Sequence, residues 1–173
     1  MDTKELFPDT SRRTADIAVS VICNNPEIFK NVLDLAFEDN GVFAMRAARA
    51  LNLAAVKRPE LVRPFLNDIA VKLPTFKTGG VKRCLLKTIS ERSFDYDENT
   101  LGLLVNICFD WVNDPQEEIA IKVYALEVLY RTSQFHPDLK PELIACIERL
   151  MPEASSGIKV RGKRYLKRLY REV

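Results

Sequence analysis

The sequence VFAMRAARALNLAAVKRPELVRPFLNDIAVKL, residues 42–73, contains two helical patterns that meet at a Lys-Arg-Pro junction. Apolar residues of the first pattern share one helical face: Phe43, Ala47, Leu51 and Ala54. Those of the second pattern share another: Leu61, Phe65, Ile69 and Leu73. Pro59 begins the second helix at a position that needs no N–H, and Pro64 is expected to tighten or kink its first turn. The stretch therefore predicts a helical hairpin.

Helical periodicity also covers most of the remaining chain. Further helices are predicted over about 11–24, 26–39, 81–92, 100–113, 115–133, 137–151 and 158–172. Short loops with Pro, Gly, Asn or Asp separate them, and no segment alternates as a strand does. One domain over residues 1–173 is predicted, with units at 9–39, 41–74, 79–113 and 115–152 and a C-terminal helix at 157–172.

The first helices of these hairpins repeat a common pattern at a nearly constant interval. An apolar residue is followed by a small or apolar one at +4 and by Leu or Ile at +8, starting at Phe43, Val81, Ile121 and Ile158. These starts lie 38, 40 and 37 residues apart. Hairpins at such a period cannot bury their apolar faces alone and stack on their neighbours. The first pair departs most, since Thr14, Ala18 and Ile22 fit only at a shorter interval.

The period and the segments RAARAL (46–51) and PELVRPFL (59–66) resemble the HEAT and armadillo superfamily of α-solenoids. The resemblance implies an all-α, right-handed superhelix of about four hairpins plus a last helix. It implies little about function, because that superfamily serves many partners. HEAT units commonly carry a basic residue beside the first apolar position, here Lys82, Lys122 and Lys159. We favour a packing role for this column over a ligand groove, since single cations on helices are usually solvated or locally paired.

Composition and motifs argue against a cofactor enzyme. The net charge is +2, so no strong field draws the whole chain to nucleic acid or lipid. The four cysteines form no CxxC pair and sit in apolar stripes, as buried thiols of a reducing compartment do: Cys23, Cys84, Cys108 and Cys146. No signal segment, membrane-length apolar run or phosphate loop is present. We predict a cytoplasmic protein with no catalytic, cofactor or metal site and no small-molecule substrate.

Two polar features resemble functional sites, but their sequence context argues against catalysis at the first and calcium binding at the second. His136 stands alone before a proline, which favours a loop or capping role over catalysis. The stretch DYDEN, residues 95–99, opens like a calcium loop from Asp95. Its sixth position is Thr100 instead of Gly and its twelfth is Asn106 instead of Glu, so calcium is rejected.

The last helix concentrates positive charge. Residues 156–173 hold seven Lys and Arg against one acid, whereas the rest of the chain holds 19 Lys and Arg against 23 acids. An apolar stripe is predicted at Ile158, Gly162, Tyr165, Leu166, Leu169, Tyr170 and Val173. The cations cover the remaining surface: Lys159, Arg161, Lys163, Arg164, Lys167, Arg168 and Arg171. A polar terminal cap and a contact surface for phosphate or an acidic partner both remain open.

Two functional classes compete. One is an interaction module that holds a protein or peptide partner on the concave surface of the second helices. The other resembles the HEAT-like alkylpurine DNA glycosylases, a family that cradles DNA on a basic concave face and uses Trp and Asp in its pocket. Trp111 and Asp110 are adjacent here, but Trp111 lies on an apolar stripe. The helix at 100–113 has no Lys or Arg, which disfavours a DNA cradle. We predict a non-enzymatic module, with phosphate contact through the last helix as the alternative.

Overall fold

The computed structural model describes residues 2–91 and 96–172, and in these ranges it contains nine α-helices and no β-strand. The helices are α1 (Arg12–Asn24), α2 (Pro26–Phe37), α3 (Gly41–Lys57), α4 (Leu66–Lys72), α5 (Gly79–Ser90), α6 (Glu98–Asn113), α7 (Ile119–Ser133), α8 (Lys140–Leu150) and α9 (Ser156–Glu172). The all-α fold expected from periodicity is confirmed. Asp95 and Val173, which took part in two of the predictions, lie outside the described residues.

The chain forms two compact units, Met1–Asp97 and Glu98–Val173. The first contains α1 to α5 and the second contains α6 to α9. One continuous repeat domain over residues 1–173, with the unit boundaries given above, stays a prediction.

In the first unit, the first helices of successive pairs pack in series. Helix α3 lies against both α1 and α5, and α2 covers α1 and α3. Six alanines of α3 have at most 1% of their surface exposed: Ala44, Ala47, Ala48, Ala50, Ala54 and Ala55. Because alanine side chains are short, both neighbouring helices can approach α3 closely.

In the second unit, α7 contacts α6, α8 and α9, and α6 also lies against α8. Gly162 marks the closest approach of α9 to the end of α8. A Cβ atom at this glycine would lie 2.7 Å from Met151 Sδ and 3.1 Å from Ile147 Cγ2. A larger residue would require the flexible Met151 side chain to move, so a small residue suits this contact, as the repeat pattern predicted for this position.

Side chains of one hairpin satisfy backbone groups of another. The Asp39 carboxylate accepts the N–H groups of Lys77 and Thr78, at 2.6 and 3.2 Å, and so ties two successive loops together. Arg58 donates to the carbonyl of Cys23 at 2.7 Å. Backbone groups in these loops would otherwise lack protein partners. These contacts join residues 35 to 39 positions apart, close to the period read from the sequence.

Three predicted helix starts near a proline are wrong, whereas α2 begins at Pro26 as predicted. The helix expected from Pro59 begins only at Leu66, because 3-10 turns occupy Pro59–Leu61 and Arg63–Phe65. Pro64 thus tightens the chain as expected. The helix expected from residue 115 begins at Ile119, after a turn in which the Asp114 carboxylate accepts the N–H of Gln116 at 2.8 Å. The helix expected from residue 137 begins at Lys140, after another 3-10 turn.

Two burial expectations also need correction. Phe43 was placed on the buried face of its helix, but 38% of its surface is exposed and Ala44 is fully buried beside it. A wide alanine face leaves no room for a phenyl ring at that contact. Of the four thiols, Cys108 and Cys146 are buried, whereas the other two are half-buried.

We predict that Ala47→Glu unfolds the protein or lowers its free energy of unfolding by several kcal/mol, because a carboxylate would be buried without a partner. Urea denaturation followed by circular dichroism measures the effect. Val56→Glu is the matched control on the same helix, since Val56 is 56% exposed. Equal stabilities of the two variants would show that the packing face of α3 is wrongly assigned.

Candidate interaction surfaces

Helix α9 is amphipathic as the sequence indicated. Its buried side consists of Ile158, Gly162, Tyr165 and Leu169. Leu166 is half-buried, and Tyr170, which was placed on the apolar stripe, is 56% exposed. All seven predicted cations lie off the buried side, and only Arg161 among them is half-buried.

Arg161 is held by a carboxylate on α7. Glu127 Oε2 lies 3.4 Å from the Arg161 guanidinium and accepts the hydroxyl proton of Tyr165. Its other oxygen lies 2.7 Å from Nε of Arg131. Burial by itself would raise the pKa of Glu127, but the hydrogen bonds from Arg131 and Tyr165 and the two arginine charges outweigh it and leave the pKa below its ordinary value. This carboxylate therefore fastens α9 to α7 in its ionised form.

Two more cations of α9 lie over aromatic rings. Tyr165 stacks on Tyr130 with ring centroids 4.6 Å apart. The Arg164 guanidinium lies 5.2 Å from the centroid of Tyr165, and that of Arg168 lies 6.0 Å from the centroid of Tyr130. Such contacts hold a guanidinium near a ring without neutralising its charge.

The other four cations of α9 are exposed and form no ion pair or hydrogen bond within the described residues: Lys159, Lys163, Lys167 and Arg171. The end of the helix is tied down differently. Glu172 lies 3.3 Å from Nζ of Lys140 and accepts from Gln134 at 3.2 Å. Tyr170 donates to Glu148 of α8. The exposed face is thus positive and firmly anchored.

A different surface lies on the second helices of the second unit. A cavity of about 290 Å³ is formed by α6, the end of α7 and the turn before α8. Apolar side chains of Leu101, Val105 and Leu139 form part of its wall, and Glu98 and Asp138 add two carboxylates. No Lys or Arg lines it. The sequence shows that α6 has no Lys or Arg. Only the structure shows that these two carboxylates line one cavity.

The second helices of the first unit also border a groove. It has a volume of about 590 Å³ and lies between α2 and the turns that precede α4. Pro64, Phe65 and Leu61 give it an apolar side, and its charged residues are two glutamates and one lysine. The second helices of both units therefore offer apolar hollows with an excess of carboxylates.

A family model described as a HEAT repeat domain matches residues 3–169. The chain belongs to the HEAT repeat family. No curated protein and no solved structure matches it in the corresponding comparisons. Helical repeat domains of this kind are scaffolds whose stacked units present extended surfaces for binding.

The family match supports the HEAT repeat fold and does not show a likeness to the DNA glycosylases. In this HEAT repeat chain Trp111 is only 8% exposed, whereas Asp110 is exposed. The two side chains that suggested a glycosylase pocket thus occupy different environments. His136 is exposed and lies directly before a 3-10 turn.

The three lysines of the basic column predicted from the repeats differ in exposure. Lys122 is 8% exposed, Lys82 is half-buried and Lys159 is exposed. Equivalent positions of successive HEAT units therefore differ in environment.

Nothing in the described ranges indicates metal or membrane chemistry. No group of three or more His, Cys, Asp or Glu residues there could hold a metal ion. No helix there is long and apolar enough to cross a bilayer. Burial raises the pKa of Cys84, Cys108 and Cys146, so these thiols are poor nucleophiles near neutral pH.

We predict that Glu127→Gln lowers the free energy of unfolding at pH 7 by about 1–3 kcal/mol, because Arg131, Arg161 and Tyr165 lose a charged acceptor. A carboxylate with a depressed pKa stabilises the fold above its unfolded pKa of about 4.3, and that contribution is lost as pH falls through the lower folded value. The gap between parent and variant should therefore shrink toward pH 3.

Urea denaturation at pH 7 and at pH 3–4 measures that gap. Glu142→Gln, an exposed position on α8, is the matched control and should change stability little at either pH. A gap that is equal at both pH values would contradict the ionised network around Glu127.

Proposed function

We propose that this HEAT repeat chain is a non-enzymatic interaction module that binds a protein or peptide partner on its second helices, and that the bound segment is basic. The observation that supports the proposal is the cavity of about 290 Å³ beside α6, which is lined by apolar side chains, two carboxylates and His136 but by no Lys or Arg. A side chain with an aliphatic stem and a charged end, lysine or arginine, fits that combination.

The charge distribution supports the same choice. Helix α6 has no Lys or Arg, and its exposed residues include Asp110 and the apolar Leu103, which is 43% exposed. On the neighbouring α8, Glu142 and Glu148 are exposed. An acidic surface attracts a cationic segment and disfavours an anionic one. Phosphate-rich partners are therefore disfavoured at the cavity beside α6.

We predict that peptides selected from a random display library by the full chain are enriched in Lys or Arg next to apolar residues. The double change Glu98→Gln with Asp138→Asn removes both carboxylates of the cavity. It should weaken the affinity for the selected peptides by on the order of tenfold or more, because desolvated charge pairs are lost. Fluorescence anisotropy of a labelled peptide measures the affinity.

The control is Glu5→Gln with Asp16→Asn, which removes the same charge from exposed positions near α1. It should leave the affinity within about twofold, since neither residue lines the cavity and exposed charges outside it act only through a screened field. Selected peptides that are acidic, or that bind the neutralised variant as well as the parent, would refute this partner class.

A second candidate function rests on the four exposed, unpaired cations of α9. They could contact the phosphates of a nucleic acid, as the alternative reading of the sequence suggested. A bare positive helix face is the arrangement that counterion release requires.

We predict for this candidate that changing Lys163, Lys167 and Arg171 together to Ser weakens binding of duplex DNA and spares the fold. The slope of log affinity against log salt should flatten by roughly 0.9 for each lost phosphate contact. Filter binding at two salt concentrations measures it. The control changes Lys30, Lys57 and Lys77, three exposed cations of the first unit, to Ser. Equal, weak affinities of all three proteins would leave α9 as a solvated cap.

A further inference from the structure

A second cavity in the second unit has a different chemistry. It has a volume of about 490 Å³ and lies where the start of α7, the end of α8 and the start of α9 meet. Ile119, Leu150 and Pro115 supply apolar surface, and Lys122, Arg149 and Ser155 supply polar groups. None of the functions discussed above uses it.

Lys122 is the first unusual feature of this cavity. Its side chain lines the cavity although the residue is only 8% exposed. Its ammonium has no hydrogen bond or ion pair within the described part of the chain. Most of the Lys122 side chain is buried, but its Nζ keeps access to solvent, so its unpaired charge can meet an anion that enters the cavity.

The start of α9 is the second feature. Ser155 is the N-cap residue, since its carbonyl accepts the N–H of Lys159 at 2.9 Å. Its Oγ is buried and has no hydrogen-bond partner. The first turn of this 17-residue helix contains no acidic residue. The free N–H groups at residues 156–158 and the positive end of the helix dipole therefore face the same region as the unpaired hydroxyl.

Two carboxylates restrict what can bind. Glu117 and Glu153 also line the cavity, and both are more exposed than Lys122. Arg149, which is exposed as well, also lines the cavity. A ligand with several phosphates, or a nucleic-acid strand, would bring its outer charges against these acids. A single compact anion can reach Lys122 and the α9 N-terminus without doing so.

We propose that this cavity binds one phosphate monoester group. Its oxygens would accept from the Lys122 ammonium, the Ser155 hydroxyl and the first N–H groups of α9. A phosphate has three terminal oxygens for donors that converge from several directions, whereas a carboxylate has two. The volume exceeds what a bare phosphate fills, and pockets of this size hold an organic ligand. The organic part of the ester packs against Ile119, Leu150 and Pro115.

The test is a titration of the full, ¹⁵N-labelled chain with phenyl phosphate at pH 7.5 and constant ionic strength. We expect saturable amide shifts at Ser156, Gly157 and Ile158. Benzoate, the matched carboxylate, should bind on the order of tenfold more weakly because it accepts fewer hydrogen bonds. Absence of saturable shifts at these amides, or equal binding of benzoate, would overturn the proposal.

A second arm identifies the source of the phosphate. A short peptide with one phosphoserine represents a phosphorylated protein, and phenyl phosphate represents a free small molecule. The ligand that binds more tightly indicates the source of the phosphate group. The unphosphorylated peptide should produce no shift at the α9 amides. Shifts of equal size with the unphosphorylated peptide would contradict a phosphate site.

The decisive variant is Lys122→Met, which keeps the length of the side chain and removes its charge. Phenyl phosphate should bind it on the order of tenfold more weakly, while its Tm without ligand should equal or exceed that of the parent. Lys163→Met, on the exposed side of α9, should leave the affinity unchanged. Arg149→Gln is a second variant of the cavity lining, at a position that is exposed. If Lys122→Met binds phenyl phosphate as tightly as the parent, the proposed phosphate site is refuted. This outcome is independent of the tests of the α6 cavity and of the α9 cations.

Discussion

Six alanines of α3 lie between α1 and α5, and this contact holds the first unit together. One hairpin cannot bury both of its apolar sides, so each pair depends on the next for part of its core. Small side chains set the spacing between helices, and Gly162 does the same where α9 meets α8. The exposed ring of Phe43 follows from that spacing.

Polar groups obey the same dependence on neighbours. Asp39, Arg58 and Glu127 each have at least one partner about one repeat away in the chain. Their partners are loop carbonyls, loop N–H groups or charged side chains that the residue's own hairpin cannot satisfy. These carboxylate and guanidinium groups therefore help to specify which surfaces of successive repeats meet. In the second unit, Glu127 performs this role for α9.

The second unit separates its charges by surface. The cavity beside α6 is acidic, the outer face of α9 is basic, and the cavity around Lys122 combines one buried cation with a helix N-terminus. The Lys122 side chain is mostly buried, and its ammonium, which has no protein partner within the described residues, reaches solvent at that cavity.

The sequence by itself determined that the chain is helical, that its hairpins recur at 37 to 40 residues and that α9 is amphipathic. These properties depend on local periodicity, which a single chain segment displays. Only the tertiary structure decided which helices begin after 3-10 turns and how the equivalent residues Lys82, Lys122 and Lys159 differ in burial. It also decided that Glu98 and Asp138 share one cavity, and that Lys122 and Ser155 share another. Burial and cavities arise from contacts between residues distant in the chain, and periodicity contains no information about them.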